Sequence, residues 1–261
     1  MRRLIYPRGV PSVLAVLAIL CLFRDGTDSF LGAGFFGSGA DGLVWSAEGV
    51  SAEGGAIYLD EPDPEPPPTE VQRRNAEDKY TDGTMRVQRE VIRLSNDRFV
   101  NDGTYREFYP DGQPFSEGSY KRGILNGQWK YWHDNGQLCK TIIFKDGVPD
   151  GSWEVFHKDG TRMSSKTYEK GLRQGNWVRY FEDGETMKTE ESYTLGKLQG
   201  ARTSYFPNGQ KRQESHFKNS QLNGLMTEWD EAGNKVAEVL FVEGKINGKM
   251  VRWRADGTEI K

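Results

Sequence analysis

From Gly103 to the C-terminus, the hydrophobic and polar positions recur in one pattern. Its start glycines are Gly103, Gly127, Gly151, Gly175, Gly200, Gly224 and Gly248, spaced 24 residues apart except for one step of 25. An aromatic stands five residues after each start: Phe108, Trp132, Phe156, Tyr180, Tyr205, Trp229 and Trp253. A second glycine follows nine residues after each start, from Gly112 to Gly257. A further aromatic closes each complete unit: Tyr120, Phe144, Tyr168, Tyr193, Phe217 and Phe241. Self-similarity at this period marks a repeat architecture.

Each unit divides at its second glycine. The first half, as in GQWKYWHDNG, is a short aromatic run ending, in six of the seven units, in Asn-Gly or Asp-Gly. Between β-rich runs this dipeptide predicts a hairpin, in which both turn residues take positive φ. The second half, as in QLCKTIIFKDG, is a strand ending at a third glycine, replaced once by Ser220. Two strands per unit predict an all-β fold, an elongated antiparallel meander or ribbon of tandem β-hairpins. At about 4.8 Å per strand, seven units would extend roughly 65 Å. The extra residue of the fourth unit falls between Gly184 and Tyr193. It reads as a β-bulge or a longer hairpin loop.

The run from Tyr120 to Trp129, YKRGILNGQW, has the spacing Y-x-x-G-x-x-x-G-x-W, which recurs with substitutions at Phe144–Trp153 and Tyr168–Trp177. It resembles the MORN repeat, in the 24-residue variant common in bacterial proteins, over residues 103 to 261, with a degenerate copy beginning near Tyr80. Many chains with this variant are similar to the YwqK-like group, labelled antitoxins. That resemblance implies an antitoxin-like inhibitor of a toxin partner. MORN proteins also carry an association with membrane lipid.

The chain before the repeats is different in kind. Residues 1–23 join a basic start (Arg2, Arg3, Arg8) to a 14-residue apolar run, Val10–Phe23. A spanning helix needs about 20 apolar residues and a signal core about 7 to 15. The segment reads as a signal peptide or membrane anchor, which predicts an exported, periplasmic or envelope-associated protein. Residues 24–78 read as a Gly/Pro-rich disordered linker, with Glu61–Pro68 as an extended acidic spacer. Residues 79–102 read as an entry hairpin, or degenerate repeat, whose charges guard the sheet edge. Residues 103–261 hold six full units and a terminal half unit.

Composition removes several functions. The net charge of −3 carries no basic stripe, which argues against a nucleic-acid partner. Cys139 is the sole cysteine after the apolar run, so no internal disulfide is available there. His133 and His157 occupy the same place, six after the start glycine, in adjacent units, but no third ligand joins them. No cofactor or metal is expected, and no nucleophile–base pair or phosphate loop is present. The chain reads as non-enzymatic.

The aromatics leave one question open. Positions two and five of the unit fall on opposite sides of a regular strand, which requires a mid-strand bulge or rings on both faces. With the position-five rings (Trp132, Trp229, Trp253) as stacked core, the position-two ladder Tyr105, Trp129, Trp153, Trp177 would face outward. Such a flat stripe suits a protein partner, a glycan or a membrane surface. The expected function is a protein-binding or scaffolding surface in the cell envelope.

Overall fold

The computed structural model describes residues 66–260, and the N-terminal signal and most of the linker lie outside them. The described residues form one 17-stranded antiparallel sheet without a helix. Its strands are β1 (Glu70–Lys79), β2 (Met85–Leu94), β3 (Phe99–Phe108), β4 (Pro114–Lys121), β5 (Ile124–Trp132), β6 (Leu138–Lys145), β7 (Val148–Phe156) and β8 (Arg162–Glu169). They continue as β9 (Leu172–Arg173), β10 (Gly175–Tyr180), β11 (Met187–Thr194), β12 (Lys197–Tyr205), β13 (Lys211–Lys218), β14 (Gln221–Trp229) and β15 (Lys235–Val242). The last two are the pairs β16 (Lys245–Ile246) and β17 (Val251–Arg252). Successive strands pair, apart from two breaks. β9 and β10 are two pieces of one strand, both on β8, as β16 and β17 are on β15. The tandem-hairpin meander expected from the repeat is the fold.

The sheet begins earlier than the repeats do. Glu70–Lys79, of which all but Lys79 was placed by composition in the linker, is β1 and pairs with β2 throughout. Its charged sequence, EVQRRNAEDK, suits an edge strand, where solvent takes the unpaired side. The turn after it repeats the later ones, with the Gly83 amide donating to the Tyr80 carbonyl as Gly112 does to Tyr109. The degenerate copy near Tyr80 is therefore a whole hairpin.

Two turn types alternate along the chain, and they exchange the roles expected of them. At the Asn-Gly and Asp-Gly sites only the glycine has positive φ, as in Gly112 (86°) and Gly136 (80°). These are type I turns closed by a left-handed glycine, which match the strand twist through a bulge. The Asx residue acts through its side chain. Asp111, Asn135, Asp159, Asn208 and Asp256 accept the amide two residues on. The two-residue type I′ turns stand instead at the returns between units, where both residues have positive φ. They are Arg122–Gly123, Asp146–Gly147, Lys170–Gly171, Leu195–Gly196, Asn219–Ser220 and Glu243–Gly244. The extra residue of the fourth unit lengthens its hairpin loop. The Phe181 amide bonds to Thr186, one residue further on than in the other units.

The start glycines explain the rest of the backbone. All have positive φ, from 66° at Gly175 to 132° at Gly151; Gly175 opens β10, Gly248 lies between β16 and β17, and the other five lie inside a strand. At this point one residue of the preceding strand faces three of the next. Glu117 pairs with Lys130 while Ser119 pairs with Asn126. The same two-residue shift recurs between β6 and β7, β11 and β12, and β13 and β14. Such a bulge bends the strand and sharpens its twist. A Cβ on Gly151 would lie 3.1 Å from Ile143, and one on Gly224 2.8 Å from His216, so the bend also needs a bare Cα.

Candidate binding surface

The register decides which rings are core. In β5 and β6 Gly127 faces Phe144 and Trp129 faces Ile142, so the position-two and closing rings share a face. The bend at the start glycine brings them together. Tyr120 meets Trp129 edge-on at 5.1 Å, and Tyr168 and Tyr193 lie 5.1 and 5.0 Å from Trp177. Trp129 is fully buried (0% exposed), with Tyr105 at 5% and Trp177 at 9%. Its indole Nε1 donates to the Ser119 carbonyl at 3.1 Å, as Trp177 does to Thr167 at 2.9 Å. Trp153 is half-buried and tilts against Tyr168 at 5.4 Å. The expected stripe Tyr105, Trp129, Trp153, Trp177 is thus the packed face of the sheet, because the closing aromatics cover it.

The position-five rings take the surface role in exchange. Phe108, Trp132, Phe156, Tyr180, Tyr205, Trp229 and Trp253 are all half-exposed, on the opposite face. Rings occur on both faces, and the position-two and position-five sets are not brought together by a bulge. The surface row changes character along the sheet. Phe108 pairs with Pro114 and Trp132 with Leu138, which makes its start apolar. Further on, a cation lies over three of the rings: Arg162 over Tyr180 (5.3 Å), Lys211 over Trp229 (5.9 Å) and Lys235 over Trp253 (5.3 Å). These lysines also pair with carboxylates, Lys211 with Glu214 and Lys235 with Glu238. The last two rings, Trp229 and Trp253, therefore each carry a cation and an acid, one set per hairpin at about 9.6 Å, twice the strand spacing.

Stapling between hairpins was missed at the sequence level. Position six, where Tyr109, His133 and His157 stand, looks like a tolerant rim. In the structure its side chain reaches the next hairpin: Tyr80 to the Phe108 carbonyl (2.8 Å), Tyr109 to Trp132 (2.9 Å) and His133 Nε2 to Phe156 (3.0 Å). A carbonyl only accepts, so His133 carries its proton on Nε2 there. The two turn asparagines staple as well, Asn135 donating to the Lys158 carbonyl and Asn208 to Glu231. The residue before the start glycine holds the following return turn. Asp102 accepts from Arg122 N, Asp150 from Lys170 N, Gln174 from Leu195 N and Gln199 from Asn219 N. The recurrence of Asp, Gln or Asn before the start glycine was the available signal.

Electrostatics adds a half-buried carboxyl on the packed face. The Glu107 carboxyl is pushed above the ordinary carboxylate range by burial, partly offset by Arg86 and by its bond to Tyr105. Burial likewise raises the neighbouring Tyr120 hydroxyl to about 12. Among the described residues no three His, Cys, Asp or Glu side chains gather as a metal set. One recess is lined by Phe206, Arg212 and Trp229, with Gln213 and Glu228 beside them. Cys139 is buried, as expected of a small interior residue. No helix among the described residues is long and apolar enough to cross a membrane.

These features define a tandem β-hairpin repeat protein with one packed face and one ring-lined face. The family pattern described as MORN repeat variant matches residues 101–122, 125–146 and 198–219. Those segments are the first, second and fifth units. The pairing of start glycine with closing aromatic in them (Gly103–Tyr120, Gly127–Phe144, Gly200–Phe217) recurs in the third, fourth and sixth as Gly151–Tyr168, Gly175–Tyr193 and Gly224–Phe241. The match is to the repeat, a module of protein and membrane interaction, and it lends no support to the narrower antitoxin-labelled group. Comparison with curated proteins gave no match.

Proposed function

We propose that this chain is a non-enzymatic, exported repeat protein whose ring-lined face serves as a protein-binding or scaffolding surface in the cell envelope. The observation that carries the reading is the row Phe108 to Trp253. Seven rings are held half-exposed, at one per hairpin, by a face whose opposite side carries the packing. Rings that present area at low entropic cost, rimmed by charged and hydrogen-bonding groups, are the usual anchors of protein interfaces. The basic start and 14-residue apolar run support export.

The test uses the full chain as bait in native envelope extract, beside a Trp229→Ala/Trp253→Ala variant that removes two surface rings. A protein retained near stoichiometry by the first and depleted at least about tenfold by the second is the expected result, each well-packed aromatic anchor being worth roughly 2 kcal/mol or more. Equal retention would overturn the assignment of the surface. Retention of glycan or lipid without protein would move the function to those partners. Fractionation of cells producing the tagged chain tests export, and a purely cytoplasmic chain would refute it.

A further inference from the structure

The packed face carries a polar pair on β3 and β4. Glu107 on β3 faces Ser116 on β4, in the row that holds Tyr131, Lys140 and Val155 further along. Ser116 is fully buried, and its hydroxyl has no partner. Glu107 Oε2 is likewise enclosed and unbonded. On β2, Arg89 Nε is a third buried polar atom without a hydrogen bond, although its guanidinium reaches Asp78 at 3.2 Å. Arg89 pairs with Tyr105, two residues from Glu107 on the same face. Buried polar atoms in folded proteins are nearly always satisfied, by protein or by ordered water.

The same row shows what a direct bond here needs. Where Gln213 faces Glu228, the long amide reaches the carboxylate at 2.9 Å. Serine in that row is several atoms shorter, and Ser116 does not reach. We propose that a trapped water molecule is built into the sheet here, bridging Ser116 Oγ and Glu107 Oε2. The water donates to the carboxylate oxygen, shares a bond with the hydroxyl, and keeps a lone pair for which Arg89 Nε is the neighbouring donor. Two to four polar partners in an enclosed space are what a structural water requires.

A crystal structure of the full chain that shows ordered solvent tests the site. The expected result is a water at about 2.7–3.2 Å from both Ser116 Oγ and Glu107 Oε2. A direct Ser116–Glu107 bond, or an empty space between them, would overturn the proposal. Ser116→Ala, a small change on a strand otherwise held by its ladder, gives the second reading. Loss of the water with the fold retained is expected, and a water unmoved in that variant would show that the hydroxyl does not hold it.

Discussion

The second and fifth units share a backbone and little else. In β5 and β6 the second unit buries Trp129, Tyr131, Cys139, Ile142 and Phe144. In β12 and β13 the fifth buries Thr203 and Ser215. At position two, Trp129 of the second unit is replaced by Arg202, which pairs with Glu191 at 3.1 Å. Yet both strands carry the same bulge, the same return turn and the same register. The lesson is that glycines and turns set the course of this sheet, and rings decide how firmly each part is held. Apolar burial is the larger stabilising term, and an exposed ion pair adds little.

The contrast is open to test by substitutions at equal repeat positions. The largest effect is expected at position two of the second unit. Trp129→Ala should destabilise by about 3–5 kcal/mol, read as a shift of the urea midpoint. Arg202→Ala, its counterpart in the fifth, should cost less than about 1 kcal/mol. Comparable losses at both would show that the halves are held alike. Gly118→Ala follows, since its Cβ would stand 2.2 Å from the Trp129 ring, and a loss of about 1–3 kcal/mol is expected. Ser215→Ala, at the same repeat position in the fifth unit, has no such ring above it and should be nearly silent. Hydrogen exchange sharpens the comparison without a mutation. Amides of β5 and β6 should be the more protected, and those of β12 and β13 should exchange through earlier local opening.

A smaller effect depends on pH. Glu107 has its folded value raised by burial, so the native state holds its proton longer than the unfolded chain does. Its contribution is complete below the ordinary carboxylate range and is lost as pH rises through the folded value. Glu107→Gln should therefore raise the melting temperature at neutral pH and flatten the fall in stability from the carboxylate range upward. An unchanged pH profile would show that Glu107 does not titrate against the fold. The smallest effect is expected at the returns. Leu195 is 69% exposed with φ of 49°, a conformation that asparagine and glycine accept more readily. Leu195→Asn should stabilise by about 1 kcal/mol or less in the same urea titration.

The period of 24 residues was enough to read the fold, because each glycine and each Asx marks a backbone requirement. The face of each ring was not read correctly. Positions two and five look equivalent in sequence, both aromatic and both flanked by polar residues. Only a count of register outward from Asn135–Gly136 places Trp129 across from Ile142 and beside Phe144. The turn assignment failed for a similar reason. Asp-Gly suits two kinds of turn, and the number of loop residues, three at the Asx sites and two at the returns, is what separates them. Position six was legible only as variation, since tyrosine and histidine staple the same carbonyl with different atoms.

The two-residue shift at each start glycine has a consequence for how such a chain can change length. A deletion of one whole unit removes one bulge, one glycine-closed loop and one return together. The strands on either side then meet in the register they already use, and the surface row shortens by about 9.6 Å. A deletion of half a unit would join a strand carrying a bulge to a turn of the wrong handed type. Gene rearrangement in this array is therefore quantised, and the reach of the ring-lined face can grow or shrink only in whole hairpins.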